Sequence, residues 1–370
     1  MRIRDNGAFR FWCFIGIPLI IIVYAFLHPR GYFTGLVNTF GIYIILVASL
    51  NLVNGFSGIF SMGHAAFMAI GAYISAFCTL NPAIKRSFLP GMPEFVKSIQ
   101  MPMLPAMFVA GFAAMLIALV VGGCVLRMKG HYLSVATLGL IIIVRSVLDN
   151  AGRYTNGARG ITGLPNYANT LTIFITALLV TYILFRTLRS GVGKELIALR
   201  DDFTAARAMG INATGRRIMA FALSAFFAGV GGALWGHMQS VISGKFYFYD
   251  LSFRIVQISI IGGMYTLSGA FVGPLIMTII PELLRPLEAG MNLFGFRLPQ
   301  MFGLSKLLLS AFLIVLIIFR RQGIMGSSEI IVESIFDPKT YRAAVSPRQY
   351  RDFCKSFWEM FLSLRKKRKA

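Results

Sequence analysis

Ten apolar segments recur along the chain, separated by shorter polar stretches. Each is close to the roughly 20 residues that a helix needs to cross the hydrocarbon core of a bilayer. Helices satisfy their own backbone hydrogen bonds in lipid, so this pattern predicts an all-α, polytopic transmembrane helical bundle. The ten segments are 11–27, 36–54, 64–80, 105–126, 131–148, 171–188, 216–236, 252–267, 269–284 and 304–320.

Two parts of this pattern have alternative interpretations. The first segment follows Arg2, Arg4 and Arg10, as in a secretory signal, but no small-residue cleavage site follows it. We interpret it as the first membrane helix. The segments 252–267 and 269–284 are short and glycine-rich where they meet, so they are either two full crossings or two re-entrant half-helices.

The distribution of basic residues predicts the orientation. The stretch from Arg186 to Arg217 holds seven Lys or Arg residues against three acids, which places this loop in the cytoplasm. Basic residues at both chain ends predict cytoplasmic termini, which requires an even number of crossings. The predicted plan is a multi-pass protein of the inner (plasma) membrane, with a membrane domain 1–320, its cytoplasmic loop 189–215 and a basic tail 321–370.

Composition agrees with a lipid environment. Hydrophobic residues make up 56% of the chain and charged residues 14%, against about a quarter charged in soluble domains. The net charge of +22 lies in loops and at the ends, so it predicts contact with the lipid bilayer and not with nucleic acid. In the tail, residues 353–364 are either an amphipathic surface helix or part of a poorly ordered basic segment.

A polar, glycine-rich stretch interrupts the apolar pattern between the second and third segments, and a membrane helix should break there. Freed backbone is tolerated in a membrane only where protein or a water-filled cavity satisfies it, so this break is predicted to border a translocation path. The alternative is a tight helix contact through small residues. For the histidine, a structural hydrogen bond competes with a role in proton transfer. The candidate residues are Asn51, Asn54, Gly55, Ser57, Gly58, Ser61, Gly63 and His64.

A second glycine-rich interruption follows in the later half of the chain. Gly262, Gly263 and Gly269 are its candidate pathway residues, again between apolar runs. Two such interruptions suggest a duplicated or pseudo-symmetric core.

The loop 189–215 contains a predicted amphipathic helix, Lys194–Met209. Its apolar positions recur at helical spacing, and Gly210 is placed to end it. Such a stripe needs either a groove on a partner or packing onto the chain's own membrane domain or the lipid interface. The stripe consists of Leu196, Leu199, Phe203, Ala206 and Met209.

The chemistry of an enzyme is not evident. The stretch Gly191–Glu195 lacks the upstream glycine spacing, and the Ser or Thr after its lysine, that a phosphate-binding loop requires. No metal site and no cofactor are predicted. An ion-coupled secondary transporter remains an alternative, although such a protein normally needs ionisable groups near the bilayer midplane. The charges within apolar segments, Arg145, Arg254 and Glu282, fall toward segment ends.

Four stretches together resemble the permease subunits of branched-chain amino acid ABC transporters, of the LivM type in the LivH/LivM permease family. Residues 51–72 resemble that family's Gly-Ser-Gly-His segment, 127–164 its central span and following loop, and 260–274 its late glycine-rich segment. The stretch 193–232 carries the fourth match, and the resemblance extends over about residues 36–320.

This resemblance implies a complex rather than a lone protein. The expected partners are a second, LivH-like permease subunit, two cytoplasmic ATP-binding subunits and a periplasmic substrate-binding protein. Leucine, isoleucine and valine are the expected substrates, with other amino acids, short amides and urea left open. The resemblance also makes the loop helix an ATPase-coupling helix, with Lys194, Glu195, Leu196, Leu199, Arg200, Asp201, Phe203, Ala206, Met209 and Gly210 as its candidate residues.

Overall fold

A computed structural model describes residues 31–128, 131–288, 292–293, 296–297, 303–319 and 323–326. The chain divides into two units, Gly35–Gly326 and a second unit formed by the two ends, of which only residues 31–34 are described. The predicted first helix 11–27 and the tail from residue 327 onward lie outside the described residues.

The described residues are mostly helical with very little sheet, which confirms the predicted fold class. The other nine apolar segments all form helices, and five helices are long and apolar enough to cross a membrane. The helices are α1 Tyr32–Asn51, α2 His64–Thr79, α3 Pro82–Phe88, α4 Glu94–Ser98, α5 Met103–Val125, α6 His131–Asn150, α7 Gly152–Thr155, α8 Thr170–Arg189, α9 Gly191–Asp201, α10 Phe203–Ala208, α11 Ala213–Gln239, α12 Tyr249–Gly262, α13 Gly269–Glu288 and α14 Leu304–Phe319.

Both predicted interruptions are present. A π-helical turn, Leu52–Phe56, continues α1, and the chain is then irregular until α2 begins at His64. The second break separates α12 from α13, and α12 ends at Gly262, five residues before the predicted end of that segment. With 14 residues, α12 is about 21 Å long, less than the roughly 30 Å of a bilayer core.

The centre of the bundle is α11, which packs against α2 and α5. Small residues bring these helices close together, since a Cβ added at Gly71 of α2 would lie 2.1 Å from the carbonyl oxygen of Gly229 in α11. On the same pair of helices, a Cβ at Gly232 would lie 2.1 Å from the carbonyl oxygen of Met68. Backbone contact at glycine lets membrane helices pack where apolar burial gives little driving force.

Two short strand pairs, which the sequence pattern did not predict, connect loops. Strand β1, Ile161–Thr162, pairs antiparallel with β2, Val241–Ile242, and β3, Asn292–Leu293, pairs with β4, Phe296–Arg297. The first pair joins the loop between α7 and α8 to the loop after α11, so both loops lie at the same end of the bundle. Loop 189–215 leads into the start of α11, at the other end of that helix. We call the end that carries β1 and β2 the distal end.

Candidate functional site

The first break is closed by the side chain of Asn54. Its Nδ2 donates to the carbonyl oxygen of Ser61 at 3.0 Å, and its Oδ1 accepts from the backbone N–H of Ser61 at 2.9 Å. Ser57 adds a bond from Oγ to the carbonyl oxygen of Val53 at 2.8 Å. Side chains therefore satisfy backbone groups that the end of the helix leaves free.

Asn51 joins the first break to the second. Its Oδ1 accepts from Oγ of Ser259 in α12 at 2.6 Å, and its Nδ2 donates to the carbonyl oxygens of Thr266 and Gly263 at 3.0 and 3.4 Å. Asn51 and Ser259 are fully buried. One amide thus holds two interruptions that lie more than two hundred residues apart in sequence.

Glycines let the two breaks touch through their backbones. A Cβ at Gly55 would lie 1.8 Å from the carbonyl oxygen of Met264, in the middle of the second break. Within that break, a Cβ at Gly262 would lie 2.1 Å from the carbonyl oxygen of Gly269, and Gly263 has a φ of +116°. A residue with a side chain would force the breaks apart.

The wall of the first break is formed by α6 and α12. Thr137 of α6 accepts from the backbone N–H of Met62 at 3.0 Å, and a Cβ at Gly63 would lie 3.2 Å from the Thr137 side chain. Ser252 of α12 donates to the carbonyl oxygen of Met62. These contacts give freed backbone groups of the break partners within the protein, as a membrane requires.

His64 starts α2 and is buried between two hydroxyl groups. Its Nε2 lies 3.1 Å from Oγ of Ser49 and 3.3 Å from Oγ of Ser224, which also donates to the carbonyl oxygen of Ser49 at 2.6 Å. Such contacts tie α2 to α1 and α11. This geometry corresponds to the structural alternative for His64.

Loop 189–215 is not one helix, and the prediction of a single helix Lys194–Met209 was wrong in that respect. The loop forms α9 and α10, separated at Asp202, whose carboxylate accepts from the backbone N–H groups of Thr204 and Ala205 at 2.8 and 3.0 Å. Asp202 therefore caps a new helix instead of continuing the old one. Gly210 does end this second helix, with a φ of +83°.

The predicted apolar stripe of the loop is divided between the protein interior and its surface. Leu196, Leu199 and Ala206 are buried within the chain itself, which corresponds to the alternative of packing onto its own domain. In contrast, Phe203 is 37% exposed and Met209 is 83% exposed. The surface left for a partner is accordingly formed by α10 and its flanks, and not by the whole stripe.

The polar residues of α9 are mostly engaged. Glu195 forms an ion pair with Arg216 of α11, with Nη2 of Arg216 donating to Oε1 at 3.2 Å. Asp201 accepts from Nε of Arg200 at 2.9 Å, whereas Lys194 is exposed. The Glu195 ion pair fixes α9 against the first turn of α11.

Arg200 brings α9 into contact with both breaks. A Cβ at Gly58, whose φ is +68°, would lie 3.2 Å from Cα of Arg200, and Nη1 of Arg200 lies 3.5 Å from the carbonyl oxygen of Gly55. Its guanidinium carbon lies 5.4 Å from the ring centroid of Tyr265 in the second break. A displacement of α9 would therefore act on both breaks at once.

Sequence reasoning missed several members of this arrangement. The hydroxyl groups of Ser259, Thr137 and Ser252 provide its hydrogen bonds, yet each is an isolated Ser or Thr in an apolar run. Small hydroxyl residues within membrane helices are a signal for helix contacts, although not for particular partners. Among the described residues, no group of three or more His, Cys, Asp or Glu side chains is placed to hold a metal ion.

The amino-acid sequence of this membrane bundle matches a known family. The profile of the family described as branched-chain amino acid transport system / permease component matches residues 32–319, which include both breaks and loop 189–215. The chain belongs to this family. The resemblance found in the sequence motifs is thereby confirmed.

Individual relatives agree with the family assignment. This permease-family chain is 27% identical over 345 residues to the high-affinity branched-chain amino acid transport system permease protein LivM of Salmonella typhimurium, with 84% of this chain and 74% of that protein covered. It is 26% identical to the Escherichia coli protein of the same name, with the same coverage. The probable branched-chain amino acid transport permease protein LivM of Methanocaldococcus jannaschii is 22% identical, over 79% of this chain and 92% of that protein. No solved structure matches this family member significantly.

Proposed function

We propose that this chain is the LivM-type permease subunit of an ABC importer and forms part of the translocation pathway for branched-chain amino acids. A LivH-like permease subunit completes the pathway, two cytoplasmic ATP-binding subunits hydrolyse ATP, and a periplasmic binding protein delivers the substrate. Residues 1–320 are the permease domain in the inner membrane, and the chain termini, the tail 321–370 and loop 189–215 are cytoplasmic. Membership of the permease family and the LivM relatives support this proposal.

The contact of Arg200 with both breaks carries the mechanical part of the proposal. A motor outside the membrane can move a pathway only through an element that touches the motor on one side and the pathway on the other. Loop 189–215 has an exposed face at α10 and a buried face at α9, where Arg200 meets Gly55, Gly58 and Tyr265. ATP binding by the partners would then shift the two breaks between two arrangements.

The breaks form the hinge and wall of the pathway in this proposal. The polar side chains of Asn51, Asn54 and Ser57 are occupied by hydrogen bonds within the chain, which suits positioning of the helix ends. Gly58 is exposed and lies at the edge of the first break. Movement at this edge would open or close the pathway at the end that faces loop 189–215.

The docking surface for the ATP-binding subunit is α10 with its flanking residues. Its occupant is proposed from family membership, since a permease component of such a system works with an ATP-hydrolysing subunit. Phe203 lies against Arg217, with the guanidinium carbon 4.6 Å from its ring centroid, and Met209, directly after α10, is the most exposed of the loop's large hydrophobic side chains. Exposed apolar side chains on and next to a short helix fit a groove of a partner protein.

Docking at α10 is tested by replacing an exposed side chain of the loop, because a substitution at a buried position would also disturb folding. Leu199→Asp would bury a charge in the chain's own core and so would damage folding as well as docking. Met209→Asp places a charge only in the proposed interface, and we expect ATP-binding subunits to be lost from the purified complex, with leucine uptake reduced at least tenfold.

A matched control is available at the distal end. Phe95→Asp also replaces an exposed apolar residue, 76% exposed, and should leave copurification of the ATP-binding subunits unchanged. Normal amounts of both proteins in the membrane show that each variant folds. Retention of the ATP-binding subunits by the Met209→Asp and Phe203→Asp variants would contradict docking at α10.

A further inference from the structure

The exposed side of α12 is polar. Asp250, Arg254 and Gln257 recur at intervals of four and three residues, so they lie on one face of this helix. Asp250 and Arg254 are exposed, and Gln257 is partly exposed. Ser252 and Ser259, on the opposite side of the helix, are fully buried. We call Asp250, Arg254 and Gln257 the polar face of α12.

The charge of Arg254 lies deep in the membrane domain. Nη1 of Arg254 donates to the hydroxyl of Tyr43 in α1 at 3.4 Å. Tyr43 is close to the middle of the 25-residue stretch Tyr32–Phe56, which is long and apolar enough to cross a membrane. Arg254 comes early in its own apolar segment, yet this contact places its guanidinium near the middle of a span. A charge at that depth is costly where it faces lipid.

The exposed side of α8 has the opposite composition. Leu171, Ile175, Leu178 and Tyr182 recur there at the same helical spacing, and each is more than half exposed. Large apolar side chains of this kind are the ones expected against lipid. Charged side chains within a membrane almost always face the bundle interior or a water-filled cavity instead. The polar face of α12 therefore belongs to a side of the chain that lipid does not cover.

Arg254 has donors to spare for a ligand. A guanidinium carries five N–H donors in a planar fork that matches a carboxylate, and the contact with Tyr43 uses one of them. Asp250, one turn nearer to the distal end, interacts electrostatically with Arg254. The polar face thus offers both signs of charge, which suits a zwitterionic amino acid better than a simple anion.

We propose that the polar face of α12 lines the translocation pathway and that Arg254 binds the carboxylate of the amino acid there. This inference rests on the proposed function, because it assigns a substrate contact within the pathway. The helix α12 leads directly into the second break at Gly262, so a movement of that break would also move Arg254. A carboxylate is common to all α-amino acids, and discrimination among side chains is left to other contacts.

Labelling of an introduced cysteine tests whether the polar face meets water. Gln257→Cys places a thiol on this face, and Leu178→Cys, on the exposed apolar side of α8, is the matched control. The complete complex in nanodiscs is treated with a membrane-impermeant thiosulfonate, and peptide mass spectrometry reads each site, so the native cysteines stay in place. We expect Gln257→Cys to react at least about tenfold faster, because the reactive thiolate does not form in lipid.

The role of Arg254 is tested by the charge of the reagent. At Gln257→Cys, the rate with an anionic thiosulfonate is divided by the rate with a cationic one, and the result is corrected for the same ratio with a free thiol. This ratio should fall about tenfold when Arg254→Gln is added, and Arg254→Lys, which keeps the charge, should preserve it.

Protection by ligands then tests the carboxylate contact. Leucine and 4-methylpentanoate, which share the carboxylate, should slow the labelling of Gln257→Cys when supplied without the binding protein. The amine 3-methylbutylamine, which lacks a carboxylate, should not. Arg254→Gln should abolish the protection while labelling itself continues, a result that a misfolded chain would not give.

The outcomes separate this inference from the proposed function. Labelling of Gln257→Cys in the isolated chain but not in the complex would mean that the polar face packs against the second permease subunit. Labelling in the complex without protection that depends on Arg254 would leave a wet surface that binds no substrate. Either result, with normal ATP-driven uptake by the wild type, would overturn this inference and leave the proposed function standing. A wild-type complex that imports neither leucine, isoleucine nor valine would overturn both.

Discussion

At the scale of single residues, Gly55 is the position where the two breaks have no tolerance for a side chain. A Cβ there would lie 1.8 Å from the carbonyl oxygen of Met264, and that atom belongs to backbone, which cannot turn away. We expect Gly55→Ala to separate the breaks, to destabilise the chain by about 1–3 kcal/mol and to abolish most uptake. Thermal unfolding of the purified complex and leucine uptake measure the two effects.

Gly139→Ala provides the matched control for this substitution. Gly139 lies within α6, and an added Cβ would meet nothing within 4 Å. Alanine favours a helix over glycine by about 0.5–1 kcal/mol, so this variant should be as stable as the wild type or slightly more stable. Equal losses in both variants would show that the close contact at Gly55 is unimportant.

Asn51 joins the two breaks through hydrogen bonds, as Gly55 does through close packing. Asn51→Leu keeps the size of the side chain but leaves the Ser259 hydroxyl and the Thr266 carbonyl buried without their partner. Each such loss costs about 1–3 kcal/mol, so we expect a lower melting temperature and loss of uptake. Ser259→Ala removes only one hydrogen bond and should have the smaller effect. If Ser259→Ala were the more damaging change, Asn51 would not be the centre of this contact.

The sequence marked Gly55 and Asn51 as candidate residues but did not indicate what they touch. Gly55 and Asn51 stand out because a glycine and an amide interrupt an apolar run, which is a local signal. Their partners Met264 and Thr266 lie more than two hundred residues later, and nothing in a short window specifies that contact. The amide of Asn51 finds its acceptors only after α1 and α12 have packed together.

At the scale of elements, the side chain of Arg200 joins α9 to both breaks. Arg200→Ala removes the guanidinium from the Gly55 carbonyl and from the Tyr265 ring without altering the exposed surface of α10. We expect the ATP-binding subunits to copurify normally, while leucine uptake falls at least tenfold and ATP hydrolysis loses its response to the loaded binding protein. Uptake and ATPase activity in proteoliposomes measure this uncoupling.

Arg200→Ala and Met209→Asp should differ in copurification. Met209→Asp should release the ATP-binding subunits, and Arg200→Ala should retain them. Arg186→Ala, at an exposed basic residue of α8, controls for the loss of positive charge and should transport normally. Wild-type coupling in the Arg200→Ala variant would remove this residue from the mechanism.

Element boundaries show where sequence patterns are insufficient. Helical spacing correctly placed Leu196 and Leu199 on one face of a helix. It also predicted that this helix continues through Asp202, whereas the Asp202 carboxylate caps the start of the separate helix α10. An Asp followed by Thr204 and Ala205 is a recognisable N-cap signal, so this division was open to prediction. In contrast, the burial of Leu196 and Leu199 against the chain's own core follows from tertiary packing, which the periodicity leaves open.

At the scale of the whole molecule, the ionisable side chains considered for an ion-coupled transporter are paired. Arg145 lies beside Asp149, Arg254 donates to the hydroxyl of Tyr43 at 3.4 Å, and Glu282 lies 3.7 Å from Arg285. Occupied groups of this kind are poorly suited to exchanging a driving ion during each cycle. The arrangement agrees better with a passive pathway that is moved by a separate subunit.

This leads to a prediction about the energy source. Proteoliposomes that contain the complete complex should accumulate leucine only when ATP is supplied on the side of loop 189–215, and a protonophore or sodium ionophore should leave the initial rate unchanged. Liposomes with this chain alone should show no accumulation under an imposed proton or sodium gradient, because Arg145, Arg254 and Glu282 each have a partner within the described residues. A complex whose ATP-binding subunits carry inactive catalytic sites is the control. Gradient-driven accumulation by this chain alone would favour the secondary transporter, and it would leave α10 without the partner that its exposed face is proposed to bind.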